Sequence, residues 1–139
     1  MSDAALYLLD TNIASALIRG GHPHLEERLQ ALPASGWCIS VITRSELRFG
    51  VELLRPNATR LERIVDAFLQ TAPVAPWDRA AADAHARLRA RLQNAGTPIG
   101  VFDEMIAAHA LALDAVLVTD NERHFRRVEG LTVENWLRG

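Results

Sequence analysis

Twice in this chain a short apolar run stops at an acid set among a threonine and an asparagine: LYLLDTN, ending on Asp10, and AVLVTDN, ending on Asp120. A few Leu, Val or Tyr residues bounded by turn-forming ones read as a strand buried on both faces. Similar runs stand at 37–41, 73–75 and 131–133, and helical patterns lie between them. Strands separated by helices need crossover connections, so the expected fold is α/β, a central parallel sheet flanked by helices.

With 139 residues, 49% of them hydrophobic, the chain suits one core, and a single domain over 1–139 is expected. Punctuation is limited to the short loops RGGHP, RPN and NAGTP. The formal net charge of -2 draws no polyanion in bulk, so contact with nucleic acid has to be local. None of the 15 basic residues is Lys. The single cysteine, Cys38, lies in an apolar run and reads as a buried thiol; no internal disulfide is possible, and a reducing, cytoplasmic setting is expected. No apolar stretch approaches the ~20 residues that span a bilayer.

Helices are legible from spacing. Thr59 and Glu62 match a capping box ahead of Leu61, Ile64, Val65, Phe68 and Leu69. From 78 to 93, Ala81, Ala84, Leu88 and Leu92 form a core stripe, and Arg87, Arg89 and Arg91 a solvated face. In ISVITRSELRFGVELL the strand ends near Ile42, Thr43 serves as cap, and Glu46 falls in the first turn with Phe49, Gly50 and Leu53 along its face. In TPIGVFDEMIAAHALAL a helix opens near Asp103, whose face continues through Ile106, Ala107 and Ala110. Glu104 is followed by Ala107, Ala108 and Leu111, so periodicity admits either acid, and closeness to the cap favours Asp103.

Each acid alone has a structural role available: Asp10, Asp103 or Asp120 as helix cap, Glu46 as complement to a helix dipole. Together they fall at the carboxyl end of one parallel sheet, where ligand crevices form. Carboxylates gathered there stay ionised only if a cation compensates them, and their hard oxygens suit Mg²⁺ or Mn²⁺. Such sites serve phosphoryl chemistry.

The segments LLDTN, ISVITRSELRFGV, GTPIGVFDEMIAAHAL, LVTDNERHF and VEGLTVENW resemble, in order and spacing from Leu6 to Trp136, the PIN-domain ribonucleases of the VapC toxin family. The resemblance implies a PIN-like fold and a metal-dependent endoribonuclease acting on tRNA or another structured RNA. It implies Mg²⁺ or Mn²⁺ as cofactor, a VapB-type antitoxin as partner, a homodimer, and products with 5′-phosphate and 3′-hydroxyl ends. Its catalytic and metal-binding acids fall on Asp10, Glu46, Asp103 and, at a position that is acid or amide in the family, Asp120, which binds a second ion or orients water. Thr11, Asn12, Thr119 and Asn121 fall on the supporting positions.

Arg44 and Arg48 beside Glu46, and Arg123, Arg126 and Arg127 after Asp120, are candidate contacts to RNA phosphates. His109 reads as a helix-packing residue, His124 as a loop residue, and Trp37, Trp77 and Trp136 as core anchors. A haloacid-dehalogenase-like phosphatase would need an acid where Asn12 stands, and both it and a receiver-like signalling domain need a lysine that the chain lacks. A catalytically silent PIN scaffold that only binds an antitoxin is the remaining alternative, and four filled acidic positions speak against it.

Overall fold

A computed structural model describes residues 5–137. Five parallel strands, β1 (Tyr7–Leu9), β2 (Trp37–Ser40), β3 (Val74–Ala75), β4 (Val116–Val118) and β5 (Val133–Glu134), form one sheet in the order β3-β2-β1-β4-β5. All five runs expected from the sequence are strands, trimmed or shifted by a residue or two at their ends. The connecting helices are α1 (Thr11–Arg19), α2 (Pro23–Gln30), α3 (Val41–Leu53), α4 (Thr59–Thr71), α5 (Arg79–Ala95), α6 (Val101–Leu113) and α7 (Glu122–Phe125).

Side chains of a strand alternate between the faces of its sheet, and the strands fill both faces with apolar residues. Leu8, Cys38 and Leu117 pack with Leu88, Leu92 and Ile106 of α5 and α6. Leu9, Ile39 and Val118 pack on the other side with Ile13, Leu47, Val51 and Val65 of α1, α3 and α4. Cys38 is the expected buried thiol, and loss of hydration pushes it up to about 11, which leaves it inert at neutral pH. Among the described residues no helix is long and apolar enough to cross a membrane.

Two expected caps differ. Helix α3 starts at Val41, capped by Ser40, whose hydroxyl accepts the Ile42 amide at 3.0 Å. Thr43 lies inside the helix and Glu46 in its second turn. Ser40 takes the role because it is the last strand residue, where the backbone is still extended and its oxygen can reach back. Helix α4 starts from Ala58 without any side-chain cap. Thr59 is the first residue of the helix and not its cap, so the capping box cannot form, and Glu62 receives the Arg55 guanidinium at 2.6 Å.

Trp136, 1% exposed, ties the end of the described chain to the sheet. Its ring lies 5.0 Å from that of Tyr7, with the Arg28 guanidinium 4.7 Å above it, and its indole N–H donates to Glu134. Trp37 and Trp77 are only half-buried, against Phe68 and His109 respectively. Replacing Trp136 by Ala is expected to cost about 3–5 kcal/mol of stability, measured by urea denaturation.

Candidate active site

The register aligns Leu9 of β1 with Ile39 of β2 and Val118 of β4, so the residues that follow, Asp10, Ser40 and Thr119, emerge at one level. The chain runs outward from β1 to β2 and β3, then crosses to β4 on the opposite side. Asp10 and Asp120 therefore flank the point where strand order reverses, the place where open α/β sheets form ligand crevices.

Asp10 is 5% exposed. As N-cap of α1 its Oδ1 accepts the Ile13 amide at 2.9 Å. A carboxylate has about four lone-pair sites, so capping does not exhaust it. Burial drives its pKa up to about 6; the Thr119 hydroxyl and the Ile13 amide pull the other way, and the negative charges of Asp103 and Asp120 add to the rise. Asp103 is half-buried in the first turn of α6, and loss of hydration raises its pKa too, opposed by His124. Gly100, the N-cap residue of α6 at φ +96°, adopts a backbone conformation closed to most side chains and opens the helix that delivers Asp103.

The neighbouring Glu104 points elsewhere. It is buried against α5, with Oε1 3.9 Å from Nε2 of His85. Glu46 is held by Thr11, whose hydroxyl donates to Oε1 at 2.6 Å and also bonds the Thr43 hydroxyl at 3.0 Å. Thr119 is fully buried and accepts the Asn121 amide at 3.0 Å, which shapes the turn beneath Asp120. Asp120 is exposed, and its Oδ1 receives Nδ2 of Asn135 at 2.9 Å. Asn135 is itself oriented through Oδ1, which accepts the Leu137 amide. Asn12 and Asn121 line the cleft beside Asp120.

Asp10, Asp103 and Asp120 thus share one electrostatic environment, and Glu46 joins its edge through Thr11. The donors fit a divalent cation in kind: hard oxygens, partly desolvated and mutually repelling. As placed, no three acid, imidazole or thiol groups among the described residues converge tightly enough to hold an ion, so the carboxylates would have to draw together around one.

The candidate arginines divide. Arg44 and Arg48 stand two residues from Glu46 and so project from another side of α3. They line a recess with Gln70 and Asp66 of α4, where Arg48 is ion-paired to Asp66. Arg127 reaches the Pro98 carbonyl and Arg126 stands near Glu122, while Arg123 is exposed on α7. His124 belongs to α7, not to a loop, and bonds the Ile99 carbonyl at 2.6 Å, 3.7 Å from Asp103.

His109 does more than pack. Its Nε2 donates to the Pro76 carbonyl at 3.1 Å, and burial lowers its pKa, so Nδ1 of the neutral ring accepts the Ser40 hydroxyl at 2.8 Å. The helix of Asp103 is thereby tied to the cap of the helix of Glu46. Sequence reading missed this pair and Asn135, because the partners lie 69 and 15 residues away along the chain.

Asp10→Asn keeps an oxygen for the Ile13 amide and removes a buried charge. A carboxyl whose folded pKa lies above its unfolded value is destabilising once ionised, so metal-free wild type loses stability as pH rises from about 4 to about 6. The variant is expected to be more stable than wild type by about 1–3 kcal/mol at pH 7.5 and equal to it near pH 4, as followed by chemical denaturation in chelator.

A PIN domain family model matches residues 7–131. The tRNA(fMet)-specific endonuclease VapC of Salmonella typhimurium is 39% identical over 131 residues, covering 94% of this chain and 97% of that protein. Ribonuclease VapC2 of Rickettsia felis is 32% identical over 132 residues, covering 94% and 98%. Among solved structures, DNA-bound VapBC from Salmonella typhimurium superposes with a TM-score of 0.87 at 37% identity, covering 95% of this chain and 98% of that one. VapBC2 from Rickettsia felis, bound to a DNA fragment from its promoter, gives 0.84 at 32%, covering 94% and 98%.

Proposed function

The chain belongs to the PIN-domain family, among the VapC ribonucleases, and on that footing we propose that it is a divalent-metal-dependent endoribonuclease, the toxin of a toxin-antitoxin pair, acting through Asp10, Glu46, Asp103 and Asp120 as a single domain. The observation that carries the site assignment is the buried Asp10 carboxylate, raised in pKa and repelled by two further acids at the sheet's switch point. Nothing structural is gained from that repulsion, which a cation relieves.

Asp10, Asp103 and Glu46 would hold Mg²⁺ or Mn²⁺, with Asp120 completing the acidic rim. When bound, such an ion neutralises phosphate charge and assists hydrolysis of the phosphodiester. The chain's own residues prepare the ground. Thr119 and the Ile13 amide favour the charged form of Asp10; Thr11 fixes the carboxylate of Glu46; Asn135 orients Asp120, which in turn orients the attacking water. Asn12 and Asn121 offer neutral donors to the RNA.

A transfer RNA is the substrate class that the Salmonella relative's name suggests. A VapB-type antitoxin is the partner suggested by the VapBC complexes. The apolar groove between α1, α3 and α4, lined by Ile18, Leu47, Leu61 and Ile64 and flanked by exposed Phe49 and Leu53, offers such a partner the surface it needs. Homodimerisation and a cytoplasmic setting accompany this reading.

Purified, antitoxin-free protein is expected to cut a total tRNA pool into discrete fragments with Mg²⁺ or Mn²⁺ and to lose activity in EDTA. Asp10→Asn is expected to cut at least 100-fold more slowly, and Mn²⁺ should raise the melting temperature of wild type but not of that variant. Metal-independent cleavage, or full activity in Asp10→Asn, would defeat the assignment. Asp103→Asn and Glu104→Gln separate the two adjacent acids: only the first is expected to abolish cleavage. With Asp10 near 6 before a cation is bound, activity at limiting metal should fall as pH drops below that value, because protons and cation compete for the same oxygens.

A further inference from the structure

The acids explain how the scissile phosphate could be held, but RNA reaches them as a strand whose neighbouring phosphates also carry charge. A rim made only of carboxylates would repel those phosphates, so a cation is needed close by. Arg44 and Arg48, the arginines nearest Glu46 in sequence, face α4 instead.

A different arginine meets the requirement. The cleft beside Asp120 is lined by Asn12, Ala16 and Arg19 of α1, by His22, and by Asn121. Asn12, Ala16 and Arg19 are spaced i, i+4, i+7 and so share one helix face, which begins two residues after Asp10. Among the described residues, Arg19 is the arginine that lines this cleft. It also lines the groove that contains Glu46, and so borders both the recess of Asp120 and that of Glu46. It is exposed and shares no hydrogen bond or ion pair with another described residue, whereas Arg28, Arg48 and Arg55 are each spent on a carboxylate.

A glycine turn follows. Gly20 and Gly21, at φ +76° and +85°, carry the chain from α1 into α2 through conformations that side chains resist. They bring His22 to the cleft at the start of α2, where no side chain caps the helix and the backbone amides favour an anion.

We propose that the cleft of Asn12, Arg19, His22 and Asn121 is a binding subsite for the RNA strand next to the scissile bond, with Arg19 as the partner of a backbone phosphate. The subsite builds on the ribonuclease reading above and adds to it the direction in which the substrate strand leaves the acids. Arg19 contributes binding and takes no part in bond cleavage.

The test separates binding from catalysis. In the Asp10→Asn background, expected to cut at least 100-fold more slowly, and in EDTA, affinity for a fluorescently labelled tRNA pool is titrated across a salt series, with and without Arg19→Ala. Arg19→Ala is expected to weaken binding about tenfold and to reduce the steepness of the log-log salt dependence by about one phosphate contact. Arg19→Lys should recover most of both, since a point charge still serves a phosphate. Arg91→Ala, on the solvated face of α5, should change neither. In otherwise wild-type protein Arg19→Ala should raise KM for the pool about tenfold with kcat nearly unchanged.

Unchanged affinity and salt slope in Arg19→Ala would overturn the subsite even if wild type cleaves normally, and so would absence of any RNA binding. Arg19-dependent binding without any cleavage by wild type would uphold the subsite and overturn the ribonuclease reading instead.

Discussion

The in-register pairing of β1 between β2 and β4 is the constraint on which the rest of the site depends. It brings the chain out of three neighbouring strands at one level, with Asp10, Ser40 and Thr119 side by side. Each strand is only a few residues long, so a slip of a single residue would turn its apolar side chains to the wrong faces and withdraw its end from the pocket. Core packing on both faces therefore enforces the geometry of the acids: Leu8 and Leu117 face α5 and α6, while Leu9 and Val118 face α1 and α3. The hydrophobic effect sets the register, and the register sets where Asp10, Ser40 and Thr119 stand.

That enforced proximity opposes stability. A carboxylate buried beside two others is retained although the folded chain would be better off without its charge. Its cap bond to Ile13 and the hydroxyl of Thr119 reduce the penalty without removing it. Residues that break the local rules of folding tend to mark functional sites, and the proposed role of Asp10 fits that pattern although the residue is also an ordinary N-cap.

Small polar side chains tie the helices that carry these acids to one another. Thr11 connects the first turn of α1 to Glu46 on α3, and Ser40 connects the cap of α3 to His109 on α6. Because His109 is buried in its neutral form, its two ring nitrogens serve as one donor and one acceptor, and each has a fitting partner. Asn135 does the same for Asp120 from the far edge of the sheet. The elements that carry the acids are thus joined by hydrogen bonds as well as by the core.

The sequence by itself determined the alternation of strand and helix, the sheet's parallel character and the four acids that end at its carboxyl edge, because period-2 and period-3.6 patterns are local and the core enforces them. Asp10 and Asp120 were legible as strand-end acids in the repeated LYLLDTN and AVLVTDN. Periodicity left Asp103 and Glu104 open and closeness to the cap favoured Asp103; the packing of α6 against α5, which buries Glu104 beside His85, is a long-range contact that no linear pattern shows. The cap of α3 moved from Thr43 to Ser40 because the strand's last residue, still extended, reaches the helix amides first. Arg48 left the pocket because Asp66 on a neighbouring helix claimed it. Arg19 stood at helical spacing from Asn12 all along, but nothing in a linear pattern says which face of α1 borders the acids. Such partnerships join residues far apart in the chain, and only the fold, which brings them within hydrogen-bond reach, could decide them.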